Sequence, residues 1–159
     1  MSDKKIQSPL TDADKREVWG EWAEKEDQHL REVEQRWGDS DAYSQTAKRV
    51  ARYGKREWEQ INDDNAVIEA RIRDLMDAGA DPEGEAAMDV AEAQRTHVSR
   101  WFYDMSHEFH VLKSQLYVDD PRYRAGIEDN TRPGAAEWLQ AAITANATRA
   151  AAASPESRR

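Results

Sequence analysis

The stretch RWFYDMSHEFHVLKSQLYV, residues 100–118, decides the fold expected of this chain. It concentrates aromatic and other apolar side chains in a sequence that is 35% charged and has a mean hydropathy of -1.01. Such a run belongs either to the core or to the wall of a ligand pocket. Trp101 ends one helical stripe, and Phe109, Leu112 and Leu116 recur at three- and four-residue steps in the next. The spacing predicts two helices that meet at residues 104–106.

Helical spacing continues on both sides of this corner. Upstream, residues 85–101 repeat apolar positions at steps of three and four, and residues 58–75 do so as a heptad-like seam. Downstream, Asp120 and Pro121 form a helix start signal, and residues 135–149 are amphipathic. No segment alternates apolar and polar residues as a half-buried strand would. The predicted fold class is therefore all-α.

The first predicted helix, residues 11–37, differs from the others because its apolar stripe is thin and most of its residues are charged. Gly20 weakens its middle by about 1 kcal/mol relative to Ala. Gly38 is expected to end it as a left-handed C-cap. A helix of this kind is either a solvated peripheral element or a lid that orders over a ligand.

These patterns predict one helical domain with two disordered ends. The N-terminal tail covers residues 1–10 and the C-terminal tail covers residues 150–159. The domain spans residues 11–149, of which 11–37 form the mobile lid helix and 40–149 the body. A length of 159 residues is enough for one core of ordinary size.

Composition excludes several classes of function. With 32 acidic and 23 basic residues the chain has a formal net charge of -9, which repels nucleic-acid backbones. There is no apolar run long enough to span a bilayer and no signal sequence, so we expect a cytoplasmic protein without a membrane partner. The absence of cysteine excludes disulfides and thiolate chemistry.

The sequence also lacks a convincing catalytic or metal motif. His107-Glu108-Phe109-His110 resembles the zinc protease signature, but its histidines are three residues apart where that motif needs four. Asp104 lies nearby, yet three candidate ligands without a fourth are weak evidence for a metal. Since nucleotide-binding loops and nucleophile motifs are also missing, we expect a binding protein with neither metal nor cofactor, and not an enzyme.

A set of short motifs, in a consistent order from residue 36 to residue 147, resembles one known family. They are Arg36–Tyr43 followed by Ser44, Tyr53 with Trp58, Asp77–Gly79, Met88-Asp89, Ala91-Glu92, Trp101–Tyr103 with His110, Tyr117-Val118 before Asp120 and Arg122, Pro133-Gly134 and Ala145–Ala147. The sequence resembles the TipA-type antibiotic-recognition domain, the thiostrepton-binding module of some MerR-family transcription regulators, which also occurs as a free-standing protein.

The resemblance implies a globin-like arrangement of helices with a deep ligand cleft. It also implies N-terminal helices that are loosely attached without ligand and fold over a bound macrocyclic thiopeptide. The partner would be a small-molecule macrocyclic or peptide-like antibiotic, bound by a protein expected to be a monomer. The residues expected to bind this ligand are Trp37, Tyr43, Tyr53, Trp101, Tyr103, Met105, Glu108, Phe109, His110, Leu112 and Leu116.

Two departures from the family pattern change the expected mechanism. Thiostrepton-type members capture their ligand through a cysteine thiol that adds to a dehydroalanine, and Met105 and Leu112 occupy the matching positions here. Binding is therefore expected to be non-covalent. The sequence also has only a short polar tail ahead of the domain in place of a DNA-binding module, so we expect sequestration of the antibiotic, as in drug sensing or resistance.

Two alternatives stay open at this point. The chain is also compatible with a helical protein-protein interaction or sensor module in which the aromatic residues are only core. A weaker alternative, suggested by the globin-like fold, is haem binding through His97 or His110.

Overall fold

Every regular element in the residues that the structure describes, 5–153 of this computed structural model, is helical. The all-α prediction is confirmed for these residues. The elements are α1 (Asp12–Trp19), a 3-10 helix (Gly20–Lys25), α2 (Glu26–Trp37), α3 (Asp41–Val50), α4 (Lys55–Asp77), α5 (Glu85–Trp101), α6 (His107–Asp119), α7 (Pro121–Glu128) and α8 (Ala135–Ala153).

Several helices begin where local side-chain chemistry predicts. A side-chain oxygen at the N-cap accepts a hydrogen bond from a backbone N–H two or three residues later, which satisfies a donor that the helix leaves unpaired. Pro121 follows the last of these caps at the first helical position. The capping residues are Thr11, Ser40, Ser106 and Asp120.

The sequence predicts one continuous helix over residues 11–37, and this prediction is wrong because the structure divides the segment into three elements. Gly20 adopts φ +60° and ψ -135°, a conformation that few residues other than glycine adopt, and it ends α1. A short 3-10 helix then leads into α2. Gly38 has φ -54°, so the predicted left-handed cap at that position is also wrong.

The inner parts of the two predicted tails are ordered in the described residues. Residues 5–10 are irregular, but Leu10 is buried. At the other end α8 continues through the alanine run to Ala153, because alanine has the highest helix propensity. Residues 1–4 and 154–159, the outer parts of the predicted tails, lie outside the described residues.

The chain divides into two compact units. Unit 1 contains the described residues up to Asp64 and the segment Val98–Asp104, and thus the first part of α4 and the end of α5. Unit 2 contains Asn65–His97 and the described residues from Met105 onward. The predicted corner at residues 104–106 is the connection between α5 and α6.

Unit 2 is built on the apolar face of α8. Leu139 and Ile143 are almost fully buried there, and alanines on the same face let neighbouring helices approach closely. Trp138 completes this face, and its indole Nε1 donates a hydrogen bond to the carbonyl of Ala80 at 3.2 Å. The remaining buried residues of this core are Ile68, Ile72, Ala87, Val90, Ala91, Tyr117, Ala135, Ala136 and Ala142.

Over residues 5–153 no helix has both the length and the apolar composition needed to cross a membrane.

Candidate ligand-binding site

An aromatic cluster occupies unit 1. Its rings meet mostly edge to face, the geometry that aromatic pairs prefer. The ring centroids of Trp19 and Trp58 are 5.0 Å apart, those of Tyr53 and Trp101 are 5.5 Å apart, and those of Trp58 and Phe102 are 5.9 Å apart. The cluster, as the name is used below, consists of Trp19, Trp22, Tyr53, Trp58, Trp101 and Phe102.

Polar contacts hold the end of α5 in place within this unit. Tyr53 Oη donates to the carbonyl of Trp101 at 2.5 Å, and burial raises the pKa of this phenol. Arg49 donates to the carbonyl of Ser99 at 2.8 Å and to the carboxylate of Asp104 at 2.9 Å. The residues after α5 are therefore positioned by α3 as well as by their own helix.

A second feature of unit 1 is a cavity of about 360 Å³ between the N-terminal residues and helices α1 to α3. The carboxylate of Glu26 is buried at its wall and pairs with Lys15 Nζ at 2.8 Å. Tyr43 Oη accepts a hydrogen bond from the Ile6 backbone at 3.3 Å. The lining residues are Lys5, Ile6, Gln7, Ser8, Lys15, Glu26, Asp27, Leu30, Arg31, Glu34 and Tyr43.

Unit 2 contains a half-buried polar network centred on Glu92. Its carboxylate accepts hydrogen bonds from Arg95 at 2.5 and 3.0 Å, from Asn146 at 2.9 Å and interacts with His107 Nε2 at 2.9 Å. The hydrogen bonds from Arg95 are the main reason that the pKa of Glu92 falls to about 2. Arg95 also donates to the carbonyl of Met105 at 2.7 Å, which fixes the start of the chain segment leading into α6.

His110 lies deeper in unit 2 than this network. It is 1% exposed, and its Nε2 lies 2.7 Å from Gln94 Oε1. Burial, together with the nearby charge of Arg95, lowers its pKa to about 4, so the imidazole is neutral near pH 7. Neutral His110 is thus a buried hydrogen-bonding group, and its role as a ligand contact stays a prediction.

Helix α6 separates the predicted ligand contacts into two sets. His110, Ser114 and Tyr117 form its buried face. Leu112 is 55% exposed, and Glu108 one turn earlier is exposed as well. Phe109 and Leu116 are half-buried between these two faces of α6. A ligand can therefore reach these two residues as well as Glu108 and Leu112. Met105, at 3% exposure, is buried.

The other predicted contacts lie in unit 1. Tyr53 and Trp101 touch in the aromatic cluster, and Tyr43 lines the cavity between the N-terminal residues and α3. Trp37 is half-buried at the end of α2, and Tyr103 is buried at 8% exposure. Within this set, the rings of Tyr53 and Trp101 are in contact. Their role as ligand contacts stays a prediction.

Sequence reasoning misses most of the aromatic cluster. Periodicity alone places Trp19 and Trp22 in a thin stripe on one helix and Trp58 in a heptad-like seam. The available signal is the spacing of Trp19 and Trp22 on either side of a glycine, since a break there turns the two rings toward each other. The network around Glu92 has only the i, i+3 pair with Arg95 as its local signal.

Histidines and carboxylates do not gather into a metal site in the described part of the chain. No group of three or more lies close enough to hold an ion there. His107 and His110 have different partners, Glu92 and Gln94.

Comparison with known proteins decides the family. The model of the TipAS antibiotic-recognition domain matches residues 29–146, most of the chain. This chain belongs to the TipAS antibiotic-recognition domain family. The resemblance inferred from the scattered motifs is thereby confirmed.

Relatives of this TipAS domain are known from Streptomyces. This chain is 40% identical over 140 residues to the HTH-type transcriptional activator TipA of Streptomyces coelicolor, and it has the same identity to the activator of Streptomyces lividans. The alignment covers 88% of this chain and 54% of each activator. The chain thus spans about half the length of the curated relatives it matches.

A solved structure shares the fold. The TipAS domain of Streptomyces lividans, determined in complex with nosiheptide and described as part of a thiopeptide antibiotic multidrug resistance system, is 38% identical to this chain. The TM-score is 0.81, with 91% of this chain and 99% of that chain covered. Similarity at this level extends over nearly the whole TipAS domain.

Proposed function

We propose that this chain binds thiopeptide-like macrocyclic antibiotics without a covalent bond and sequesters them, with no catalytic step of its own. The observation that carries the proposal is the close similarity to the TipAS domain solved with nosiheptide. Family membership over residues 29–146 supports the same ligand class.

The chemistry of the described residues supports a ligand of this kind. Tryptophan and tyrosine offer broad apolar rings together with hydrogen-bond donors, and such residues line sites for large amphipathic ligands. Unit 1 holds six aromatic residues in one cluster, and Trp22 in it remains 39% exposed. In unit 2, Leu112 presents an exposed apolar side chain on α6 beside half-buried Phe109 and Leu116.

The proposal includes reversible binding. The chain has no cysteine, so it cannot form the thioether by which thiostrepton-type relatives hold their ligand. Affinity must then come from buried apolar surface and hydrogen bonds. A protein that acts by sequestration must be present inside the cell at a concentration at least equal to that of the drug. We propose that this chain acts there as a monomer.

Expression of the chain in thiopeptide-sensitive bacteria tests the proposal. We expect the concentration of nosiheptide that stops growth to rise with the amount of protein. A Leu112→Glu variant places a charge on the exposed apolar surface of α6 and should protect less. Val67→Glu is the matched control, because Val67 is similarly exposed on α4. Equal growth with and without the protein, at matched expression, would contradict sequestration.

A further inference from the structure

Apolar packing alone does not decide which side of α6 faces the core of unit 2. Val111 and Val118 pack against that core. Leu112 is 55% exposed, and Phe109 and Leu116 are half-buried. Because apolar side chains lie on both sides of this helix, a rotation about its axis exchanges one apolar set for the other. Another interaction is therefore needed to fix the rotation that leaves Leu112 accessible.

Polar contacts with α5 supply that interaction. On the buried side of α6, His110 Nε2 lies 2.7 Å from Gln94 Oε1. In the first turn of α6, His107 Nε2 lies 2.9 Å from Glu92 Oε1. Each contact requires a side chain at one angular position on α6. A rotation of the helix breaks both contacts and leaves the buried imidazole of His110 without its partner, which is costly.

Arg95 extends these contacts to the backbone. Its Nε and Nη2 atoms donate to the two carboxylate oxygens of Glu92 at 3.0 and 2.5 Å, and its Nη1 atom donates to the carbonyl of Met105 at 2.7 Å. A planar guanidinium that is held along one edge by a carboxylate directs its remaining donors in a fixed direction. Since Met105 lies two residues before α6, Arg95 fixes the point at which the chain enters that helix.

A third helix holds Glu92 from the other side. Asn146 of α8, which is 2% exposed, donates from Nδ2 to the Glu92 carboxylate at 2.9 Å. The side chains of Glu92 and Arg95 are 33% and 18% exposed. Their ion pair is thus partly shielded from water and embedded in a network, which fixes its geometry more firmly than that of an isolated surface pair.

We propose that Glu92 and Arg95 are positioning residues for ligand binding, which hold α6 in the rotation that presents Leu112, Phe109 and Leu116 to the antibiotic. This inference rests on the proposed function and adds the residues that set the geometry of its apolar contact surface. Neither Glu92 nor Arg95 needs to touch the ligand. Their replacement should therefore weaken binding through Leu112.

The test combines a variant of this pair with a variant of the apolar surface. Glu92→Gln together with Arg95→Met removes the donor to Met105 and leaves no unpaired charge. The glutamine oxygen can still accept from Asn146, and an ion pair replaced by uncharged side chains of similar volume often keeps the stability of the fold. Nosiheptide affinity is measured with and without Leu112→Ala, in the wild-type chain and in this double variant. Such a cycle reports whether the two sites act through each other.

The expected result is a strong dependence of one site on the other. In the wild-type chain, Leu112→Ala should weaken nosiheptide binding about tenfold, the effect of removing most of a leucine side chain that the ligand buries. In the double variant, the same change should weaken binding less than about twofold, because Leu112 no longer faces the ligand. A pair that only stabilises the fold would leave the effect of Leu112→Ala at about tenfold in both backgrounds.

Arg149→Met is the matched control. Arg149 joins α8 to α5 through Asp89 at 2.9 Å, so this variant also removes an arginine of the network but keeps the donor to Met105. Leu112→Ala should retain its full effect in that background. If the double variant does not fold, Arg95→Lys takes its place. A lysine ammonium keeps the charge but lacks the fork that bonds Glu92 and the Met105 carbonyl together, so the same loss of the Leu112 effect is expected.

Two results would overturn the inference while leaving the proposed function intact. One is an equal effect of Leu112→Ala in the wild-type chain and in the variant of Glu92 and Arg95. The other is wild-type affinity for nosiheptide in Leu112→Ala itself, which would mean that α6 does not present this residue to the ligand. Failure of the unmodified chain to bind nosiheptide would instead contradict the proposed function, and the inference would fall with it.

Discussion

At the scale of single residues, the position of Leu112 makes the proposed binding mode testable. The family resemblance places this residue where covalent binders have their cysteine, and the structure leaves it 55% exposed on α6. We predict that Leu112→Cys converts reversible binding into covalent capture of a thiopeptide that carries a dehydroalanine. The thiolate sulfur bonds to the β-carbon of the dehydroalanine and the α-carbon takes a proton, so no atom is lost.

Intact mass spectrometry after denaturation measures this capture. The variant should gain the full mass of the ligand, whereas the wild-type chain should not. Val67→Cys, with a side chain 61% exposed on α4, controls for non-specific thiol addition. If both cysteine variants react at the same rate, Leu112 does not face the bound ligand.

His110 gives a pH prediction from its interior position. Its pKa is lowered from 6.5 to about 4, mainly by burial, with Arg95, His107 and Lys113 opposing its protonation and Glu92 favouring it. Between these two values the unfolded chain binds a proton that the folded chain does not, so stability is lost as the pH falls. From pH 7 to pH 5 the loss should be about 2 kcal/mol from this residue.

Urea unfolding at pH 7, 6 and 5 measures that loss. His110→Gln should flatten the dependence because the amide does not titrate. His29→Gln, on the exposed side of α2, should keep the wild-type slope. A slope that survives in His110→Gln would assign the dependence to other groups.

At the scale of helices, the break at Gly20 separates α1 from α2. A Cβ added to Gly20 meets no atom within 4 Å, so any cost of a side chain comes from the backbone conformation alone. Gly20→Ala should therefore lower the free energy of opening of the α1 and 3-10 segment by about 1–3 kcal/mol. Hydrogen exchange of amides in residues 12–25 measures this opening.

Gly126 is the matched control for that substitution. It lies inside α7, has no positive φ, and a Cβ added to it also meets no atom within 4 Å. Gly126→Ala should slow exchange in α7, because alanine is favoured over glycine in a helix by about 1 kcal/mol. Slower exchange in both variants would mean that Gly20 is not held in the left-handed region.

The helices show how far local chemistry predicts this fold. The start of α7 follows from Asp120 and Pro121, because a cap depends only on residues within one turn. The break at Gly20 does not follow, since glycine in a charged helix is tolerated at a small cost and the same residue also serves a left-handed turn.

The candidate site is less predictable than the helices for a related reason. The exposure of Leu112 and the burial of His110 depend on which face of α6 meets its neighbours, and both residues lie in the same apolar run. The edge-to-face contact of Trp19 with Trp58 joins residues far apart in sequence. Only tertiary packing decides such contacts, whereas the scattered family motifs already indicate the ligand class.

At the scale of the whole molecule, the central claim is that a chain of net charge -9 without cysteine binds a thiopeptide reversibly. The most direct measurement is a titration with nosiheptide that follows tryptophan fluorescence. Four of the six tryptophans belong to the aromatic cluster of unit 1, so a ligand there must change the emission. We predict saturable quenching with a Kd of about 1 μM or below, roughly -8 kcal/mol, and full recovery when the ligand is removed. Emission that stays unchanged up to the solubility limit of nosiheptide would contradict this claim.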